Sequence, residues 1–122
     1  IMPDGTVEIF NNRSSLLSPR IGGSQIVSYD PGDDSARVLH PLGKADRFES
    51  DIMGAHQRLD NGNMLIVESM GGRLFEATRA GEVIWDYRLP YDETHASLIE
   101  NAMRVPLDFF KNVNWNCNKD KS

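Results

Sequence analysis

Two stretches of this chain spell out the same order of strands and turns. Asp4-Gly5-Thr6-Val7-Glu8-Ile9-Phe10 matches Asn61-Gly62-Asn63-Met64-Leu65-Ile66-Val67, residue 4 against residue 61, an offset of 57. Gln25-Ile26-Val27-Ser28 matches Arg73-Leu74-Phe75-Glu76 at an offset of 48, and Arg37-Val38-Leu39 matches Val83-Ile84-Trp85 at 46. The offset falls only where a loop shortens, which is how tandem structural repeats with variable loops behave. Such units bury their faces against one another, so the repeat narrows the choice of fold more than any single motif does.

The second copy, Gly54 to Leu89, is the better preserved. It reads as strands at His56–Leu59, Met64–Glu68, Arg73–Ala77 and Glu82–Arg88, separated by Asn61-Gly62, Gly71-Gly72 and Ala80-Gly81. Asn-Gly supplies positive φ at both central positions of a tight hairpin, and the other glycines serve similar turns. Four short antiparallel strands in about 35 residues are the size of one β-propeller blade. Met64-Leu65-Ile66-Val67 is apolar on both parities, so both faces of that strand should be covered. The first copy has strands at Thr6–Phe10, Ser24–Tyr29 and Ala36–His40, a long loop from Asn11 to Gly23 containing Pro19 and Gly22, and a turn at Asp30–Asp34. Its opening strand would lie before Ile1, and the chain reads as a piece of something longer.

The expected organisation is therefore an incomplete blade over 1–41, a complete blade over 42–90 that begins with a charged connection, Leu42–Asp51, and a segment over 91–122. That last segment starts a further blade or packs against one, and ends in a polar tail. Within it Leu98, Ile99, Ala102 and Met103 have helical spacing with Thr94 as a possible N-cap, while Glu100–Val105 also reads as an opening strand stopped at Pro106. Phe109, Phe110 and Trp115 need apolar cover from a neighbouring blade. The fold class is all-β, with about two antiparallel four-stranded propeller-type blades belonging to a larger or composite propeller.

Charge and motif content exclude several functions. Thirteen Lys and Arg against eighteen Asp and Glu leave a net charge of −5 in 122 residues, against what a nucleic-acid backbone or an anionic membrane surface would select. The longest apolar run, Met64–Val67, is far too short for membrane insertion. One cysteine, Cys117, allows no internal disulfide and reads as a free thiol, the alternative being a partner outside this sequence. Asn12-Arg13-Ser14 matches the N-glycosylation acceptor triplet. His40, His56 and His95 stand 16 and 39 residues apart, which is no metal-ligand spacing. Asp30, Asp33 and Asp34 lack a calcium loop's spacing and distal glutamate, so they read as solvated turn carboxylates. Gly71-Gly72 lacks the lysine of a phosphate-binding loop, and there is no Gly-x-Ser-x-Gly. Trp85 and Tyr87 share a strand face, where packing between blades is expected.

Gly54-Ala55-His56-Gln57-Arg58-Leu59-Asp60-Asn61-Gly62-Asn63-Met64-Leu65-Ile66 resembles the recurrent blade pattern of the arylsulfotransferase family. Gly72-Arg73-Leu74-Phe75-Glu76 and Gly81-Glu82-Val83-Ile84-Trp85-Asp86-Tyr87 resemble the strands that follow in that family, and the resemblance covers roughly residues 4–90. It implies a propeller, usually exported (periplasmic, extracellular or lumenal), in which a histidine of an inner strand takes a sulfuryl group from one phenol and passes it to another. Partners would be further blades in the same or another chain and a phenolic sulfate; no cofactor is implied. Neutral imidazole is a suitable nucleophile near pH 7, and cations offset the charge of the sulfuryl oxygens. His56 is the candidate nucleophile, Arg58 lies two residues on and so on the same strand face, and Arg104 is a second candidate cation. Where the enzymes carry a His-His-Asp-like group, this chain has Gly54 and Ala55, with His56 two residues late. The rival reading is a non-catalytic propeller serving as scaffold or binding module within a larger protein or assembly.

Overall fold

Polar turns cut the chain into short β-prone runs, and each run pairs with the one before it. The computed structural model describes residues 1–13 and 23–113. Their strands are β1 (Val7–Asn11), β2 (Gln25–Asp30), β3 (Ser35–His40), β4 (Ala55–Arg58), β5 (Met64–Glu68), β6 (Arg73–Ala77) and β7 (Val83–Arg88). They form two antiparallel meanders, β1-β2-β3 and β4-β5-β6-β7, each an open sheet of the kind a propeller blade is made from. The loop with Pro19 and Gly22, Trp115, Cys117 and the polar tail lie outside the described residues. Among these residues there is no α-helix, and no helix is long and apolar enough to cross a membrane.

The β1–β2 and β5–β6 hairpins pair in the same register. Val7 faces Tyr29 and Ile9 faces Val27, while Met64 faces Ala77 and Ile66 faces Phe75, so residues 57 apart on one strand face residues 48 apart on the next. The last strands, β3 and β7, depart from the sequence alignment. Arg37 pairs with Ser28 and Trp85 with Glu76, which puts Arg37 and Trp85 at an offset of 48, where the sequence match set Arg37 against Val83. The ladders carry irregularities at different points, between Ile26 and Val27 in one and between Glu76 and Ala77 in the other, and each displaces the pairing by one residue.

The core lies between the sheets. Ile26 comes from the first, Met64, Ile66, Phe75 and Ala77 from the second, and Phe48 from the connection, with Phe10, Leu39 and Val83 packed against them. Phe48 makes T-shaped contacts with Phe10 and Phe75, with centroids 5.8 and 5.5 Å away. The connection is thus charged in composition but anchored by one aromatic ring. Ser24 ties it down: its amide donates to the Phe48 carbonyl, and its hydroxyl oxygen accepts from the Ser50 amide. The Asn12 side-chain amide donates to the Ser50 and Met53 carbonyls. His40 is completely buried against Phe48 and Phe75, and among the described residues neither ring nitrogen makes a well-formed hydrogen bond, a nearby polar group being the backbone of Asp46.

Past β7 neither the helix nor the strand considered for 94–105 forms. The carboxylate of Asp92 accepts from the backbone amides of Thr94 and His95 and from the Thr94 hydroxyl, closing a turn where a helix cap was expected. The amides of Ser97 and Ile99 then donate to the Leu89 and Ser69 carbonyls, which leaves them no part in a helical ladder. Arg104 bonds through both its backbone groups to the Gln57 side chain, so it lies beside β4 without strand pairing. Trp85 and Tyr87 stack with centroids 6.3 Å apart, yet each is more than two-fifths exposed, and nothing among the described residues covers them as the expected packing between blades would.

Candidate functional site

β4 is the opening strand of the second sheet, and its pairing sets His56 opposite Ile66 and Arg58 opposite Met64. Residues i and i+2 of a strand point the same way, and both side chains reach Glu8 on β1 in the other sheet. Arg58 donates from Nη2 and Nε to one carboxylate oxygen, Oε1, at 2.6 and 3.2 Å, and from Nη1 to the Gly62 carbonyl at 2.9 Å. Nε2 of His56 stands 3.4 Å from the other oxygen, Oε2, which is buried and makes no hydrogen bond. The Glu8, His56 and Arg58 side chains are 9, 12 and 21% exposed. Burial lowers the pKa of His56 below its ordinary value; the Glu8 carboxylate opposes that and the Arg58 guanidinium adds to it. The imidazole is therefore neutral at neutral pH, with its lone pair available.

Arg104 belongs to a different carboxylate. Its Nη1 lies 2.7 Å from Oε2 of Glu76, which is buried on β6 and whose Oε1 accepts from the side-chain amides of Asn63 and Asn61. The Asn63 hydrogen bond is the main reason the Glu76 pKa is lowered, with Arg104 and Asn61 adding to it. The Asn-Gly-Asn hairpin thus does more than turn the chain, because both asparagines grip the acid that holds Arg104. Arg58 and Arg104 border a common cleft of about 290 Å³ with Asn61 and Pro106. Arg58 also borders a cleft of about 400 Å³ between the sheets, together with Arg37, Arg79, Asp4 and Glu8. His56 lines neither of these.

Of the three residues singled out from sequence, His56 and Arg58 come together, and Arg104 meets Arg58 only across a cleft. Glu8 was missed. Its one signal is a lone acid between Val7 and Ile9 in an otherwise apolar run, and nothing local shows that β4 will lie beside it. The other histidines lie elsewhere: His40 in the core, and His95 exposed with Nδ1 2.9 Å from Asp92. The aspartates of the 30–34 turn serve the turn itself, accepting from Gly32, Ser35 and the Tyr29 hydroxyl. Among the described residues no group of three or more His, Cys, Asp and Glu could hold a metal ion.

The arrangement sets a neutral imidazole beside a carboxylate and a guanidinium. A family model described as arylsulfotransferase (ASST) matches residues 2–89. No curated protein and no solved structure matches the chain.

Proposed function

This chain belongs to the arylsulfotransferase family, and from that premise we propose that it forms part of an exported propeller that moves a sulfuryl group between phenols through His56. The observation that carries the reading is the neutral, largely buried imidazole of His56 with a guanidinium beside it, just ahead of the Asn-Gly-Asn hairpin. The imidazole lone pair attacks sulfur, the bond from sulfur to the aryl oxygen breaks, and its electron pair leaves with the phenolate. A second phenolate then attacks the N-sulfohistidine and the pair returns to nitrogen. Arg58, and Arg104 across the cleft, would offset charge on the sulfuryl oxygens while still held by their carboxylates. Further blades would complete the ring, and residues 1–41 and 42–90 would be successive blades of it. The deciding experiment is sulfate transfer from an aryl sulfate to a second phenol by the intact protein. Loss of turnover in His56→Ala supports the reading; unchanged turnover ends it for this residue.

The second reading is a non-catalytic scaffold, and one observation favours it. Both candidate anion-binding arginines are already engaged by buried or nearly buried acids, Arg58 by Glu8 across the two sheets and Arg104 by Glu76. Side chains so held serve as latches between successive units. This reading expects no sulfate transfer and a complex that survives purification; a clean, inactive monomer would count against it.

A further inference from the structure

We propose that Glu8, supplied by the first sheet, is a positioning residue that keeps the proton of His56 on Nε2 and so makes Nδ1 the nitrogen that attacks sulfur. The proposal rests on His56 being the nucleophile. Its own support is the geometry around one carboxylate. Oε1 of Glu8 is fixed by two hydrogen bonds from Arg58, so the carboxylate cannot turn freely. That leaves Oε2, buried and without a hydrogen bond, facing Nε2 of the imidazole at 3.4 Å. In the tautomer protonated on Nδ1, a nitrogen lone pair would confront a carboxylate oxygen with no proton between them. In the tautomer protonated on Nε2, the proton sits on the ring nitrogen nearest an oxygen that lacks a donor. The hydrogen bond made by one ring nitrogen thus decides which nitrogen is left basic. Glu8 and Arg58 are the charged groups that act on the ring.

The consequence for transfer follows directly. Nδ1 gives its lone pair to sulfur as the aryl oxygen departs, and the ring becomes cationic while Nε2 keeps its proton. Glu8 then sits against the positive ring and stabilises it, and the same contact is relieved when the second phenolate takes the sulfuryl group and the pair returns to Nδ1. A separation of 3.4 Å is longer than a formed hydrogen bond, and such contacts commonly shorten only in the reacting complex.

The test is the tautomer itself. In the intact protein labelled with ¹⁵N in histidine, above the imidazole titration, His56 is expected to show a protonated Nε2 and an unprotonated Nδ1; a dominant Nδ1–H form overturns the proposal whatever the activity. Glu8→Gln is expected to mix the two tautomers and to lower kcat roughly 10- to 100-fold with KM within about twofold, the usual range for loss of an orienting partner. It should also move the acid limb of the kcat profile to lower pH, because the carboxylate that favours the imidazolium is gone, and Glu8→Asp should restore part of each effect. A Glu8→Gln protein with unchanged tautomer and kcat sinks the positioning role. Should Glu8→Gln not fold, the wild-type tautomer still decides. Failure of the nucleophile reading would look different, as full turnover in His56→Ala beside the expected wild-type tautomer.

Discussion

A histidine such as His40, with no exposed surface and no well-formed hydrogen bond among the described residues, resists protonation for as long as the chain stays folded. Burial is the main cause, as it is for His56; the nearby Asp46 opposes it at His40 and is outweighed. The unfolded chain takes up protons near the ordinary value of 6.5 while the folded chain does not. Unfolding therefore binds protons as pH falls, and stability is level above the ordinary value and lost progressively as pH drops from there through the folded-state values. Urea midpoints measured across that range should fall on the acid side. His40→Leu should remove part of the slope and change stability near pH 7 by less than about 1.5 kcal/mol, since it swaps similar volumes and deletes two polar atoms without a well-formed hydrogen bond. An unaltered slope would show that His40 is not the group responsible. The latches differ in the same currency of exposure. Arg58→Met strands the nearly buried Glu8 and should cost about 3 kcal/mol, the low end for breaking a buried pair. Arg104→Met should cost clearly less, because Arg104 is 46% exposed and Glu76 keeps its two asparagine donors. Equal losses in denaturant unfolding would contradict this ordering.

Among the elements, the hairpin between β4 and β5 depends on Gly62, whose φ of +84° is one that side chains rarely adopt. Gly62→Ala should destabilise by about 1 kcal/mol or more from that strain, with Arg79 displaced from the turn besides. Gly72 matters for another reason, since an added Cβ there would strike the backbone carbonyl of Ser97. Gly72→Ala should therefore free the 96–99 strap before it disturbs β6, visible as faster amide exchange at Ser97 and Ile99 than at Phe75. Turn chemistry and β-prone runs are local properties, which is why strands β5 and β6 were legible to the residue from the glycines beside them. Phe48 was not, because one aromatic among charged neighbours carries no periodicity. The segment after β7 misled for a related reason: the spacing of Leu98, Ile99, Ala102 and Met103 fits a helix, but the amides of Ser97 and Ile99 are taken by carbonyls of the sheet. Site legibility followed the same division. His56 and Arg58 share one strand and could be paired by parity, while Glu8 arrives from a strand 48 residues earlier.

At the scale of the molecule, β7 leaves Ile84, Trp85 and Tyr87 exposed on an edge strand. If further sheets stack on it in the intact protein, Trp85 emission, recorded in a Trp115→Phe background, should be blue-shifted and poorly quenched by iodide; emission typical of a water-exposed indole would argue that this edge is free. The meander order has a kinetic corollary. Every ladder joins strands adjacent in sequence, so no contact within a sheet waits on a distant one, and refolding should be fast for an all-β chain. The sheets should not keep pace with each other. β4 to β5 closes across residues 59–63, whereas β1 to β2 must close across 12–24, and longer loops close at greater entropic cost. Mutations in β5 should therefore slow folding, while those in β1 should mainly quicken unfolding, which makes Glu8 one of the last side chains to find its place.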